Sequence, residues 1–166
     1  MEELTYAFFS KYKGGTIMGK DILLNQLQRV PKHKKDILKN QFINKFIITD
    51  TEYYQNYVNV GDGYFLWCCF KHQGHFSTFS TNEFGSVFDS IETKNVLLFW
   101  DYYISQDIMD WGRNELFHCS KQFLVNNLSA FPQDFYVFDE ILKWVVISTH
   151  EQQNEHGDTG FVIKLE

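Results

Sequence analysis

Four apolar runs in the second half of the chain most tightly limit its architecture. "NVLLFWDYYI" (95–104, buried at Val96 to Trp100), "FYVF" (135–138), "WVVIS" (144–148) and "GFVIKL" (160–165) are rich in β-branched and aromatic residues. Each is of strand length and too short for an ordinary helix. Asp139 to Lys143, between the second and third runs, suits a tight turn. The polar stretch Glu151 to Asp158, between the third and fourth, reads as the long loop of a hairpin.

Upstream the period changes. "GKDILLNQLQRV" sets Ile22, Leu23, Leu27 and Val30 near one helical face, and Pro31 ends or restarts the helix. "PKHKKDILKNQFINKFI" places Ile37, Leu38, Phe42, Ile43 and Phe46 at helical spacing, with a Lys-rich opposite face. Tyr64 to Phe70 is an apolar, aromatic run expected to be a strand, and Gly74 marks the next turn. "STNEFGSVFDSIE" reads as a short helix capped by Thr81 or Asn82, with Phe84, Val87, Phe88 and Ile91 inward. "WGRNELFHCSKQFLVNNL" reads as a longer helix, with Leu116, Phe117, Phe123, Leu124 and Leu128 available to the core. Helices early and in the middle, with strands clustered late, predict α+β. The expected form is one domain over residues 1–166, a mainly antiparallel sheet packed by amphipathic helices as a single layer pair.

Charge and composition narrow the function classes. The net charge of −6 is unevenly spread, being +4 over residues 1–50 and −10 over the remainder. An acidic surface repels nucleic acid and attracts basic partners. The basic cluster from Arg29 to Lys39 reads as a solvated helix face. Aromatic residues make up 18% of the chain, more than a core alone demands, so some rings are expected at a partner-facing surface. Three cysteines, Cys68, Cys69 and Cys119, are an odd number with two adjacent, which fits a reducing compartment rather than a disulfide framework. The N-terminal "MEELTYAFFSKYKGG" opens acidic with no long apolar core, and no window approaches a membrane span. A cytoplasmic protein is expected.

Several motifs imitate catalytic or metal sites. "GGTIMGKD", Gly14 to Asp21, has the G-x-x-x-x-G-K spacing of a phosphate-binding loop. Asp21 stands where Ser or Thr must hold magnesium, and its carboxylate would oppose the phosphates. Cys68, Cys69, His72 and His75 are zinc-type ligands, but adjacent cysteines on a strand point to opposite faces. His118 beside Cys119 on a helix would be turned about 100° away from it, so the pair forms no nucleophile–base couple. His150-Glu151 opens like H-E-x-x-H, but residue 154 is Asn and the next histidine is His156, which breaks the shared helical face. No cofactor or metal is expected.

"DFYVFDEILKWVVISTHE", Asp134 to Glu151, resembles a pattern in small bacterial immunity proteins encoded beside polymorphic or contact-dependent growth-inhibition toxins. Those proteins show a Y-x-F-D turn, a Trp-bearing strand and a closing T-H-E. The resemblance implies a non-enzymatic protein that binds a cognate toxin, most often a nuclease whose basic cleft an acidic surface can plug. It carries over no catalytic residue. The densest acidic and aromatic stretch, "WDYYISQDIMDWGRNE", supplies Asp101, Tyr103, Asp107, Asp110, Trp111 and Glu115 as candidate toxin-binding residues; Tyr102 shares it, and Asp107 or Asp110 can instead cap a helix. Glu151 and Asp158 of the hairpin loop form a second acidic candidate. Two rival readings stand beside this one. One is a small hydrolase using His150 and Glu151; the other is a self-assembling adaptor.

Overall fold

The computed structural model describes residues 25–58, 65–71, 74–101 and 114–165. Among them are seven strands: β1 (Gln28–Arg29), β2 (His75–Phe79), β3 (Asn95–Trp100), β4 (Phe117–Ser120), β5 (Phe135–Phe138), β6 (Trp144–Ser148) and β7 (Gly160–Lys164). They form one sheet in the order β1-β4-β3-β5-β6-β7-β2, and every pairing is antiparallel. Three helices pack on it: α1 (Lys32–Phe46), α2 (Phe84–Asp89) and α3 (Lys121–Asn126). The α+β class and the mainly antiparallel sheet are as the sequence pattern indicates. No helix among the described residues is long and apolar enough to cross a membrane.

The sheet is buried on both faces, one layer more than a single layer pair. Leu97, Phe99, Tyr136, Phe138, Val145 and Ile147 share one core with Leu38, Phe42 and Phe46 of α1. Val96, Leu98, Trp100, Phe135, Val137 and Val146 share the other with Phe84 and Phe88 of α2 and Leu124 of α3. Burial on both sides is why the central strands read as continuous apolar runs rather than alternating ones. Phe42 centres the first core, its ring 5.2 Å from that of Phe99 and 4.7 Å from that of Phe138. On the second face, Lys121 bridges helices and sheet, its Nζ donating to the carbonyls of Phe88 (2.8 Å) and Ile91 (2.7 Å). Those carbonyls sit at and just beyond the end of α2, where each also accepts a backbone N–H and a cation meets the negative helix terminus.

Several local expectations fail, most of them for a tertiary reason. The helix expected across Leu27 and Val30 gives way to β1 at Gln28–Arg29, because this segment pairs with β4 and Val30 N–H donates to Leu116 O at 2.9 Å; Ile22 and Leu23 lie outside the described residues. The helix then restarts after Pro31, as the proline implies. Ile37 is 57% exposed, since α1 rests on the sheet through Leu38, Phe42 and Phe46, four residues apart, and Ile37 points past that stripe. The run ending at Phe70 is no strand: Leu66–Cys69 is a 3-10 turn that buries Leu66 and Cys69 three apart, and only Phe70 makes a bridge, to Ile47. Of the helix expected from Trp111 to Leu128, residues 111–113 lie outside the described residues and the α-helical part of the described ones is α3, because Phe117–Ser120 pairs with β3 and Ser120 caps the helix, accepting from Phe123 N–H at 3.1 Å. His118 and Cys119 therefore face opposite sides of a strand, and burial pushes the Cys119 thiol up to about 12. Strand β2 lacks an apolar alternation and was not evident from sequence; β7 holds it by register. The Thr81–Glu83 3-10 turn that leads into α2 is capped by Ser80, not by Thr81 or Asn82, in a capping box with Glu83.

Gly160 gives a direct test of sheet packing. A Cβ there would lie 2.5 Å from the buried Phe79 ring and 2.9 Å from Ile147 O, whereas one at Gly85 in α2 would meet nothing within 4 Å. Gly160→Ala is expected to destabilise the protein by about 1–3 kcal/mol through overpacking. Gly85→Ala is expected to stabilise it by about 0.5–1 kcal/mol through helix propensity. Urea-unfolding midpoints of the two variants check both signs.

Candidate functional site

Antiparallel register gathers polar groups at one end of the sheet. Trp100 pairs with Phe135, and Phe135 with Ser148, so the end of β3, the start of β5 and the end of β6 are neighbours. Asp101 directly follows Trp100, Asp134 directly precedes Phe135 and His150 lies two residues beyond Ser148, so the three meet in space. Asp101 N–H donates to Asp134 O at 3.2 Å. The Leu66–Cys69 turn lies against this end and adds the rings of Phe65 and Trp67.

Asp134 is the organising acceptor. It is 7% exposed. Its Oδ1 accepts from the Trp67 indole Nε1 (3.0 Å) and from His150 N–H (3.1 Å), and lies 2.9 Å from His150 Nδ1. Its Oδ2 is 3.0 Å from the same Nδ1. The Asp134 carboxylate at this distance raises the His150 pKa, against the opposing effect of partial burial. With Nδ1–H donated to Asp134, the other ring nitrogen points toward Glu151, Nε2 to Oε1 being 3.6 Å. Phe65 packs on the imidazole with ring centroids 4.5 Å apart, and Trp67 meets it edge-on at 5.9 Å.

A second acid lies beside it. Asp101 Oδ2 accepts from Leu66 N–H at 3.1 Å and from the hydroxyl of Tyr136, which itself accepts from Trp67 N–H at 2.9 Å. Burial pushes Asp101 up to about 7, although the hydrogen bonds from Tyr136 and Leu66 act the other way. Tyr136 is raised well above its ordinary value by burial and by the neighbouring Asp101. Lys39 of α1 faces the same region with its Nζ 4.7 Å from the Phe99 ring centroid; burial and Lys35 lower it to about 8.

The sequence-derived candidates separate into groups. The Asp101 carboxyl is engaged by the fold. Glu115 faces α1, its Oε2 3.6 Å from Lys35 Nζ. Glu151 is outward, with its side chain 64% exposed. Asp158 belongs to the β6–β7 loop, where Oδ2 accepts from Asn154 Nδ2 at 2.8 Å; hydrogen bonds from Thr78 and Asn154 lower its pKa. Tyr103, Asp107, Asp110 and Trp111 lie outside the described residues, as does His72 of the zinc-type motif. Among the described residues no group of three or more His, Cys, Asp or Glu is placed to hold a metal ion. Cys68 is exposed while Cys69 is buried, its thiol pushed up to about 11 chiefly by burial. Of the histidines in the H-E-x-x-H-like stretch, His150 joins Asp134, whereas His156 lies 3.9 Å from exposed Glu155.

Sequence reasoning missed Asp134, Tyr136, Phe65 and Trp67. The available signal was Asp134 itself, an acid directly before a strand whose hairpin partner is followed by Thr-His. No family model matches the chain, and no curated protein is significantly similar to it. The fold and site together define an α+β protein whose sheet end is an acidic and aromatic cluster, with one imidazole held by a carboxylate.

Asp134→Ala leaves the Trp67 indole and the His150 amide without their acceptor and is expected to cost about 1–3 kcal/mol. It also removes the cause of the raised His150 pKa, which falls in the variant. Because the folded pKa is raised, this pair contributes stability that is fully present below the ordinary imidazole value and is lost as pH rises through the folded one. The penalty of Asp134→Ala is thus larger at mildly acidic than at alkaline pH. Urea unfolding at both pH values, with an NMR titration of the His150 ring, measures the effect.

Proposed function

We propose that this protein is a binding protein of the immunity type, which covers the basic active-site cleft of a cognate bacterial toxin, in the simplest case a nuclease. No bond is made or broken by the protein itself. The observation that carries this reading is the sheet end, where an outward carboxylate (Glu151) stands beside the Phe65, Trp67 and His150 rings on a rigid support. Rings supply apolar anchor area, and a solvent-facing acid supplies orientation and steering toward a cationic groove. From Asp101, at this same end, the chain runs into the acidic and aromatic stretch that holds Tyr103, Asp107, Asp110 and Trp111. The overall charge of −6 favours the same partner sign. The stretch Asp134–Glu151 that resembles immunity proteins is also the one that supplies Asp134, Tyr136 and His150 to this sheet end.

The expected partner is the nuclease domain encoded beside this protein. Mixed with it, the protein forms a one-to-one complex whose association slows as salt rises. Glu151→Lys, or Asp107→Lys with Asp110→Lys, slows association by roughly tenfold while leaving the fold intact. Stopped-flow mixing over a salt series tests this; rates and salt slopes unchanged by every reversal would overturn the reading.

A second reading rests on one specific observation, the Asp134–His150 pair. A carboxylate that orients an imidazole is the arrangement of a general base, so a hydrolase using His150 with Glu151 is the rival. Turnover of RNA, peptide or ester substrates that is lost in His150→Ala would establish it. Equal inactivity of both proteins disposes of it for those substrates.

A further inference from the structure

The end of the sheet opposite His150 carries a second surface, of the opposite charge. Here the β5–β6 turn, Asp139 to Lys143, meets one flank of α1. Lys34 Nζ donates to Glu140 Oε1 at 2.8 Å and ties helix to turn. Lys34, Ile37, Gln41 and Asn44 recur at helical spacing, so they share a flank beside the Leu38, Phe42 and Phe46 stripe that rests on the sheet. Between this flank and the turn runs an open groove of about 540 Å³, lined by Gln41, Asn44, Lys45, Glu140, Ile141 and Leu142.

Two isoleucines stand uncovered here. Ile141 is 65% exposed and Ile37 57%, the two most exposed large apolar side chains among the described residues. Ile37 lies on α1 between Lys34, which reaches Glu140, and Gln41, which lines the groove. The turn itself imposes the exposure of Ile141. Leu142 is held at φ +56° and buried in the core, which leaves Ile141 at the tip. Such a φ is costly for any residue with a side chain and persists only where its surroundings enforce it. Asp139 does so: its Oδ1 accepts from Lys143 N–H at 2.7 Å and its main-chain O from Leu142 N–H at 3.0 Å. The groove is therefore preformed, which lowers the ordering cost of whatever docks there.

Lysines surround it. Lys71 Nζ donates to Asn44 O at 2.7 Å, Lys45 lines the groove, and Lys143 stands exposed in the turn. With Lys34 these face only Asp139 and Glu140, and the Asp139 carboxylate is taken up by turn amides. The local sign is positive in a chain of net charge −6.

We propose that the groove between α1 and the β5–β6 turn is a docking site for an acidic peptide segment of a partner protein, one that carries a branched apolar side chain. The apolar side chain packs on Ile141 and Ile37, the flanking carboxylates meet the lysines, and the amides of Gln41 and Asn44 serve the peptide main chain. Charge complementarity selects an acidic segment over a basic one. It fits a peptide better than nucleic acid, because no aromatic ring lines the groove to stack a base and the Glu140 carboxylate opposes phosphate. This site lies at the far end of the sheet from Glu151 and takes the opposite charge, so it does not rest on the toxin-binding reading.

Panning a phage-displayed library of short random peptides on the intact chain tests the proposal, with the double variant Ile37→Ser, Ile141→Ser panned in parallel. Peptides held by the native protein and lost with the variant are expected to be rich in Asp and Glu around Leu, Ile or Val. For the strongest of them, fluorescence anisotropy is expected to show affinity reduced at least about tenfold in the double variant. Gln41→Glu weakens the same peptide and Gln41→Lys tightens it; Gln41 is exposed, so this pair keeps the sign testable should the double variant fail to fold. On binding, NMR shifts gather at Gln41, Asn44 and Ile141 and spare Trp67 and His150. The proposal is overturned if no peptide distinguishes native from variant protein, or if those that do are basic. Gln41→Glu and Gln41→Lys changing affinity in the same direction overturns it too, as do shifts that gather at Trp67 and His150. Tighter binding of a single-stranded oligonucleotide at Gln41 and Ile141 assigns the groove to nucleic acid instead. A concentration-dependent mass that the double variant abolishes assigns it to a second copy of this chain, and either result rejects the peptide.

Discussion

The carboxylate of Asp134 is the constraint on which the end of this sheet depends. It is nearly buried, and its oxygens meet the Trp67 indole, the His150 amide and the His150 ring. A buried carboxylate is tolerated only when such donors replace water. In meeting that requirement Asp134 ties three separate pieces of chain together: the start of β5, the end of β6 and the turn after Phe65. Asp101 repeats the arrangement one strand away, with Tyr136 and Leu66 as donors. The two acids turn a sheet end, which would otherwise expose frayed backbone, into an ordered polar surface edged with rings.

The arrangement distributes the acids into distinct roles. Asp134 and Asp101 are turned inward and act on the fold and on the charge state of their neighbours. Glu151, one residue beyond His150, is turned outward into solvent. Inner acids hold the rings in place, and the outer acid presents charge. That division suits a binding surface, because rigid rings lose little entropy on docking and an exposed carboxylate steers encounter. It also explains why a carboxylate–imidazole pair need not signal catalysis: here the same contact fastens β6 to β5.

The helical side of the molecule shows how tertiary pairing overrides local pattern. Phe117, His118 and Cys119 stand in a sequence that reads as helix, yet Phe117 and Cys119 fill the space beside Leu98 and Val96 as β4. The gain in burying two apolar side chains and completing the ladder exceeds the few tenths of a kcal/mol per residue by which helix propensity differs. The run from Phe65 to Phe70 fails as a strand for a similar reason, since its amides find Asp101 and Tyr136 rather than a neighbouring strand.

What the residues alone determined is the α+β class, α1, and the hairpin of β5, β6 and β7 with its turns. Those elements rest on periodicity and turn chemistry, which act over a few residues. Glu151 and His150 were legible as the polar end of a strand. Their partner Asp134 stands sixteen positions back, and Trp67 stands much further back, with no local pattern linking them. Only the tertiary structure decided that Asp101 points inward, that β1, β2 and β4 join the sheet, and that both sheet faces are covered. Each of these depends on strand order and register, and those are set by contacts between segments far apart in the chain.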